Sequence, residues 1–206
     1  QGQSLKEVSV EKFEKDGYWL SHISPDNGYT VSRLFAGAPA AKEPLEDEDQ
    51  FEIEEKYVFG TRIDFIHRGH TEIFFYPQRP IPIEGITKTV SVWVAGRNYN
   101  HELYLLIKDF FGRSFQIPFT EAKLNFSGWK KLTAVVPTQP GDGVTGIVQR
   151  NYHYFNHMGI MVTGMMIKVD PTEAYGSYYV YFDDMRAWTD LFTESNRDED
   201  DMVDAW

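Results

Sequence analysis

The sequence predicts an all-β fold, a jelly-roll antiparallel β-sandwich of about eight strands with long loops. Three observations carry that expectation. Between residues 88 and 137 apolar and polar side chains alternate with period two: Val90, Val92 and Val94 against Thr89, Ser91 and Trp93, then Leu103, Leu105 and Ile107 against Tyr104, Leu106 and Lys108. Turn residues interrupt this pattern every ten or so positions, at Gly96-Arg97-Asn98, Phe111-Gly112-Arg113-Ser114 and Phe126-Ser127-Gly128. Rings make up 16% of the 206 residues while hydrophobic residues as a whole reach only 42%, so the rings must fill a sandwich core or lie on a surface that touches something.

Taken in order, residues 1–16 read as a polar, mildly helical extension anchored only by Leu5, Val8 and Phe13. The sandwich domain spans residues 17–192. Its first strand falls at residues 17–23 and its second at 29–35. Residues 36–55 combine small residues, prolines and acids, a composition that cannot bury itself and predicts an exposed loop or mobile arm. Strands at residues 57–66 and 71–76 read as a pair joined by the His67-Arg68-Gly69-His70 turn, after which Pro77, Pro80 and Pro82 force an extended crossing. Within residues 88–137 the register puts Val90, Val92, Val94, Leu103, Leu105, Ile107 and Leu132 inward, with Trp129 at a sheet edge or under a loop. Residues 147–157 have no clean period and read as loop or short helix. Two further strands follow at 158–169 and 175–188, and residues 193–206 form an acidic tail.

Charge and composition exclude several functions. With 20 basic against 31 acidic residues the net charge is −11, the wrong sign for a nucleic-acid partner. No apolar run approaches the ~20 residues that cross a bilayer as a helix, so the chain is not membrane-embedded. Without cysteine there is neither a disulfide framework nor thiolate chemistry. The start at Gln1, without a basic-then-apolar leader, fits a mature exported product.

Candidate chemistry is sparse. His67 and His70 offer two imidazoles where zinc needs three or four ligands, and His153 and His157 lack the intervening Glu of a zincin, so no metal site and no cofactor is expected. Asp183, near the end of the last strand, is the one carboxylate placed to help hold a structural calcium, although a solvated strand end is the simpler reading. Adjacent strand residues face opposite ways, so Asp183 and Asp184 are not expected to share a pocket. No nucleophile elbow, phosphate loop or paired glycosidase carboxylates appear, and the chain reads as a non-enzyme. Trp93, Tyr104 and Arg97 group at the non-core parity on consecutive strands. They are the candidate binding anchors, for protein or for glycan, unless a loop or a second sheet covers them.

The same block carries a family resemblance. Val92-Trp93-Val94-Ala95-Gly96-Arg97-Asn98, the run from Glu102-Leu103 through Ile107-Lys108-Asp109 with Gly112, and Gly128-Trp129-Lys130-Lys131-Leu132 resemble the FlaA family, the flagellar filament outer-layer (sheath) proteins of spirochaetes. Looser similarity at Phe35-Ala36-Gly37-Ala38-Pro39-Ala40 and at residues 65–70 extends it over most of residues 29–188. The resemblance implies a structural subunit on the periplasmic flagellum, coating FlaB-type core flagellins beside neighbouring sheath subunits. The alternative on this fold is a carbohydrate-binding module or lectin, which could recognise flagellin glycans.

Overall fold

A computed structural model describes residues 5–46, 55–137, 146–149 and 159–191. Its strands are β1 (Leu5–Glu11), β2 (Trp19–Ile23), β3 (Gly28–Ala36), β4 (Tyr57–Phe65), β5 (Glu72–Pro77), β6 (Ile81–Ile83), β7 (Ile86–Ala95), β8 (Glu102–Lys108), β9 (Ser114–Lys123), β10 (Trp129–Val135), β11 (Ile160–Lys168) and β12 (Ser177–Asp190). They build two antiparallel six-stranded sheets. One runs β10-β7-β12-β4-β3 with β1 also on β12; the other runs β2-β5-β11-β8-β9 with β6 also on β11. The chain crosses repeatedly between the sheets, which is the winding of a jelly roll.

The core lies between the sheets and confirms the register read from the sequence. Val90, Val92, Val94, Leu103, Leu105, Ile107 and Leu132 are all at most 1% exposed. Each such side chain contributes roughly 1.5–3 kcal/mol by leaving water, and the β-branched valines and isoleucine pack well on the pleated surface. Rings close one end. Phe13 lies 5.0 Å from Trp19 and 5.8 Å from Phe59, while Phe182 lies 4.9 Å from Phe75. Trp129 opens β10, an edge strand, and is half-buried as expected.

Several expectations are corrected. The N-terminal segment is no loose extension: β1 pairs with β12 from Leu5 opposite Asp190 to Glu11 opposite Met185, and Phe13 is 1% exposed in the core. The cause is the length of β12, whose pairing with β4 stops at Phe182 opposite Phe59 and leaves later backbone groups needing a partner on that side. The strands at 57–66 and 71–76 do not pair. β4 belongs to the first sheet and β5 to the second, so the turn at 67–70 is a crossover. The proline segment does run extended, and Pro82 sits in β6, a three-residue strand beside β11.

The described parts of the 36–55 arm also pack more than their composition suggests. Leu45 is 8% exposed, and Lys42 and Glu55 reach into the first sheet; residues 47–54 lie outside the described residues. Of the segment 147–157, Ile147 is buried, and Gln149 pairs both its amide atoms with the backbone of Thr87, donating at 2.9 Å and accepting at 2.7 Å. Residues 150–158, including His153 and His157, and the tail 193–206 lie outside the described residues.

Candidate functional site: an arginine and aromatic face beside a buried ion cluster

The predicted anchors are divided between the two sheets. Trp93 stands on the outer side of β7 in the first sheet, and Arg97 follows at the corner where the chain leaves that sheet. Arg97 and Asn98 both adopt left-handed backbone, with φ of 61° each, and the Asn98 and Tyr99 amides donate to the carbonyls of Phe126 and Leu124. This turn carries the chain across the sandwich instead of folding it into a hairpin. Tyr104 in β8 therefore lies on the outer side of the second sheet, facing away from Trp93. Its hydroxyl donates to Glu102 Oε2 at 3.3 Å, and the Lys168 ammonium sits 4.5 Å from its ring centre. The expectation that Trp93, Arg97 and Tyr104 form one cluster is corrected on this point.

Around Arg97 the first sheet presents rings and cations that the sequence reading did not single out. Cross-strand register aligns Arg33 with Gly60 and Gly60 with Tyr181, and Tyr181 with Ala95 of β7, which faces Trp129 of β10. The Phe35 and Tyr181 rings meet edge to face at 5.5 Å over Gly60. A Cβ on Gly60 would come within 2.5 Å of the Phe35 ring and 2.8 Å of Tyr181, so glycine there lets both rings lie down on the sheet. Arg33 stacks on Phe35 at 4.5 Å; Arg97 lies 5.5 Å from the Tyr181 ring and 5.9 Å from that of Tyr179. Phe35, Val58, Ala95, Arg97, Trp129 and Tyr181 line an open groove of about 330 Å³. Arg33, Arg62, Arg97 and Lys131 are all exposed on this face, and among the described residues only Arg62 has a carboxylate partner, Asp64 at 2.9 Å.

Farther along the same side, Asp183 and Asp184 interrupt β12. Asp184 has φ of 48°, and one extra residue is inserted between the pairs Asp183 with Trp93 and Arg186 with Ser91. This is a β-bulge, and it shifts the inward parity from Phe182 to Met185. The strict alternation assumed from the sequence fails here. Both acids are buried, at 0% and 1% exposure, which corrects the reading of a solvated strand end.

The bulge falls where β4 gives way to β1, and charged side chains fill the gap. Lys42 Nζ donates to Asp183 Oδ2 at 2.9 Å and also to Glu55; Lys12 Nζ reaches Glu55 Oε1 at 2.8 Å. Arg186 pairs with Asp184 Oδ2 at 2.6 Å and with Glu7 at 3.1 Å. Its Nη2 also donates to the Glu43 carbonyl, at 2.7 Å. Burial pushes Asp183 up to about 7 despite the Lys42 ammonium, and it raises Asp184 as well. Burial would also raise Glu55, but hydrogen bonds from Lys12 and Lys42 hold it below the usual carboxylate value. For Lys42 burial works downward, yet its bonds to Glu55 and Asp183 leave it above the usual lysine value. Two carboxylates thus compete for one ammonium, and Glu55, which has Lys12 as well, keeps its charge more readily than Asp183.

The sites considered for metal are otherwise engaged or dispersed. Asp183 Oδ2 accepts from the Lys42 ammonium, and among the described residues no group of three or more His, Asp or Glu converges as metal ligands. His67 and His70 are exposed, while buried His101 accepts the Asp170 amide on Nδ1 at 2.9 Å and has its pKa lowered by burial.

Two signals would have exposed these features earlier. Gly60 sits inside an otherwise alternating strand, a pattern that marks a close approach to the backbone, and the adjacent acids Asp183 and Asp184 break the alternation between Tyr-Phe and Met-Arg-Ala.

The profile of the flagellar filament outer layer protein FlaA matches residues 1–197. A protein of Brachyspira hyodysenteriae described as flagellar filament outer layer-like is 33% identical over 204 residues, which span 99% of this chain and 88% of that one. Among solved structures, the family 11 carbohydrate-binding module of the cellulosomal cellulase Lic26A-Cel5E of Clostridium thermocellum aligns with a TM-score of 0.46 at 10% identity, over 88% of this chain and 93% of the module. A family 29 carbohydrate-binding module from Piromyces equi aligns with a TM-score of 0.42 at 8% identity, over 90% and 91%.

Proposed function

The chain belongs to the flagellar filament outer layer protein family, and from that membership we propose that it is a structural sheath subunit of the periplasmic flagellum, coating a core of FlaB-type flagellins and contributing to filament shape and motility. The observation that carries the proposal is the extent of the family match, which covers both sheets of the sandwich. The geometry suits such a part. A rigid body with Trp93 and Arg97 on one outer face and Tyr104 on the other has the two surfaces that a subunit needs to meet the core on one side and its neighbours elsewhere.

Co-sedimentation with core filaments assembled from FlaB-type flagellin tests the proposal. Anchor residues of this kind commonly cost ~2 kcal/mol or more of binding when truncated. The pair Trp93→Ala with Arg97→Ala, or the single Tyr104→Ala, abolishes co-sedimentation while the protein stays folded. Wild-type protein that fails to coat the filaments, or both variants coating them normally, contradicts it.

A second reading has one supporting observation, the rings of Phe35, Tyr181 and Tyr179 set over one strand surface beside Trp129, which could stack on sugar rings. On that reading the subunit recognises glycans on core flagellins. A glycan array probed with the folded domain, with Tyr181→Ala as control, decides it.

A further inference from the structure

The cations of the first-sheet face are anomalous in a chain of net charge −11. Arg97 lines the ring-bearing groove, Arg33 stacks on Phe35 at its side, and Lys131 stands two residues from Trp129 on the same face; all three are exposed and make no ion pair among the described residues. Arg33 lies 4.5 Å from the Phe35 ring and Arg97 5.5 Å from that of Tyr181, cation–π contacts that keep both guanidinium groups beside the groove. A site so built takes an acidic segment that also brings an apolar side chain.

The chain itself contains such a segment. Beyond β12 the run Asp198-Glu199-Asp200-Asp201-Met202-Val203-Asp204-Ala205-Trp206 offers four consecutive acids, then methionine and valine, then a fifth acid shortly before tryptophan. We propose that the groove lined by Phe35, Arg97, Trp129 and Tyr181 binds residues 198–206 of a second copy of this chain, the carboxylates pairing with Arg33, Arg97 and Lys131 and Trp206 entering between Trp129 and Tyr181.

Geometry favours binding between copies over binding within one. β12 leaves the sheet at Asp190, nine residues past Tyr181, a distance of about 30 Å at ~3.3 Å per residue. The strip between carries the arm from Lys42 to Leu45, fastened over Asp183 and Arg186. A segment arriving from a neighbour reaches the groove without crossing that arm. Such a contact joins unlike surfaces, segment to groove; repeated head to tail it propagates along an array, and exchanged reciprocally it closes a dimer. It deepens the sheath reading by assigning the first-sheet face to contacts between subunits, which leaves the Tyr104 face for the core. Its test needs no filament, so either idea can fail alone.

The probe is a fluorescein-labelled peptide of residues 192–206. The receptor is the full chain bearing Asp198→Asn, Glu199→Gln, Asp200→Asn, Asp201→Asn and Asp204→Asn, so that its own segment cannot compete. Anisotropy at low salt is expected to show saturable binding that weakens at least tenfold on adding Arg33→Glu and Arg97→Glu to the receptor, and falls as ionic strength rises. A peptide with Asp198, Glu199, Asp200, Asp201 and Asp204 changed to lysine should regain binding to the Glu variant, a rescue that a misfolded receptor would not give. Sedimentation velocity of the wild-type chain should show concentration-dependent association that the neutralised tail abolishes. Equal peptide binding to the neutralised-tail receptor with and without Arg33→Glu and Arg97→Glu overturns the proposal, as does a tail that alters the monomer's compactness but never its association, the mark of binding within one copy.

Discussion

Replacing Lys42 by methionine keeps the length and most of the volume of the side chain but removes the ammonium between Asp183 and Glu55. The three side chains are 9%, 0% and 12% exposed, so the orphaned carboxylates cannot simply rehydrate. Breaking a buried ion pair from one side typically costs about 3–5 kcal/mol. Because Lys12 still serves Glu55, the lower end applies, and a loss of ~3 kcal/mol in a domain of this size lowers Tm by roughly 6–12 °C.

The pH dependence gives the sharper signature. Asp183 has a folded-state pKa of about 7, raised above its ordinary value, so the folded protein binds the extra proton and wild-type stability falls as pH rises toward and through 7. Without Lys42 the Asp183 carboxyl holds its proton still more firmly, so the penalty of Lys42→Met should be smallest near pH 5 and grow toward pH 8. Urea unfolding at pH 5, 6.5 and 8, with Lys42→Met/Asp183→Asn as a partner variant that regains part of the loss, measures this. A penalty under ~0.5 kcal/mol, the level of ordinary surface substitutions, or one that shrinks as pH rises, refutes the reasoning.

Three other outcomes follow from the same structure. Phe13→Ala removes a ring that is 1% exposed between Trp19 and Phe59 and should cost ~3–5 kcal/mol in chemical denaturation; a loss below 1 kcal/mol would return the N-terminal segment to the status of a loose extension. Gly60→Ala forces apart the Phe35 and Tyr181 rings, costing about 1–3 kcal/mol as overpacking does, and should change the near-ultraviolet circular dichroism while far-ultraviolet signal persists. Calcium at millimolar concentration, or its removal by chelator, should leave Tm unchanged, because the Lys42 ammonium already occupies Asp183 Oδ2; a calcium-dependent rise of several degrees would contradict that.

What the sequence disclosed, and what it concealed, follows from the range of the forces involved. The inward faces of β7, β8 and β10 were legible because period-two alternation is a local signal, and hydrophobic burial enforces it wherever one side faces a core. Pairing across long sequence separations was not. Nothing near Leu5 shows that β12 outruns β4 and leaves an edge, so the strand β1 read as a polar extension. For the same reason, β4 and β5 looked like a hairpin although they lie in different sheets, and Trp93 and Tyr104 looked like neighbours although they face opposite ways. Asp183 and Asp184 misled through the bulge: alternation holds only while strand pairing is one to one, and a single inserted residue turned both acids to one side. The acidic arm looked unable to bury itself because its partners, Asp183 and Arg186, are supplied by the far end of the chain.

The central claim is that this chain forms part of the outer layer of a flagellar filament. Cryo-electron microscopy of flagellar filaments isolated from cells that express it tests this most directly, with filaments from a strain lacking the chain as reference. The account predicts density outside the flagellin core into which the two-sheet sandwich fits as a rigid body, repeated along the filament and missing from the reference. Identical outer density in the two preparations, with the chain absent from the isolated filaments, would contradict it.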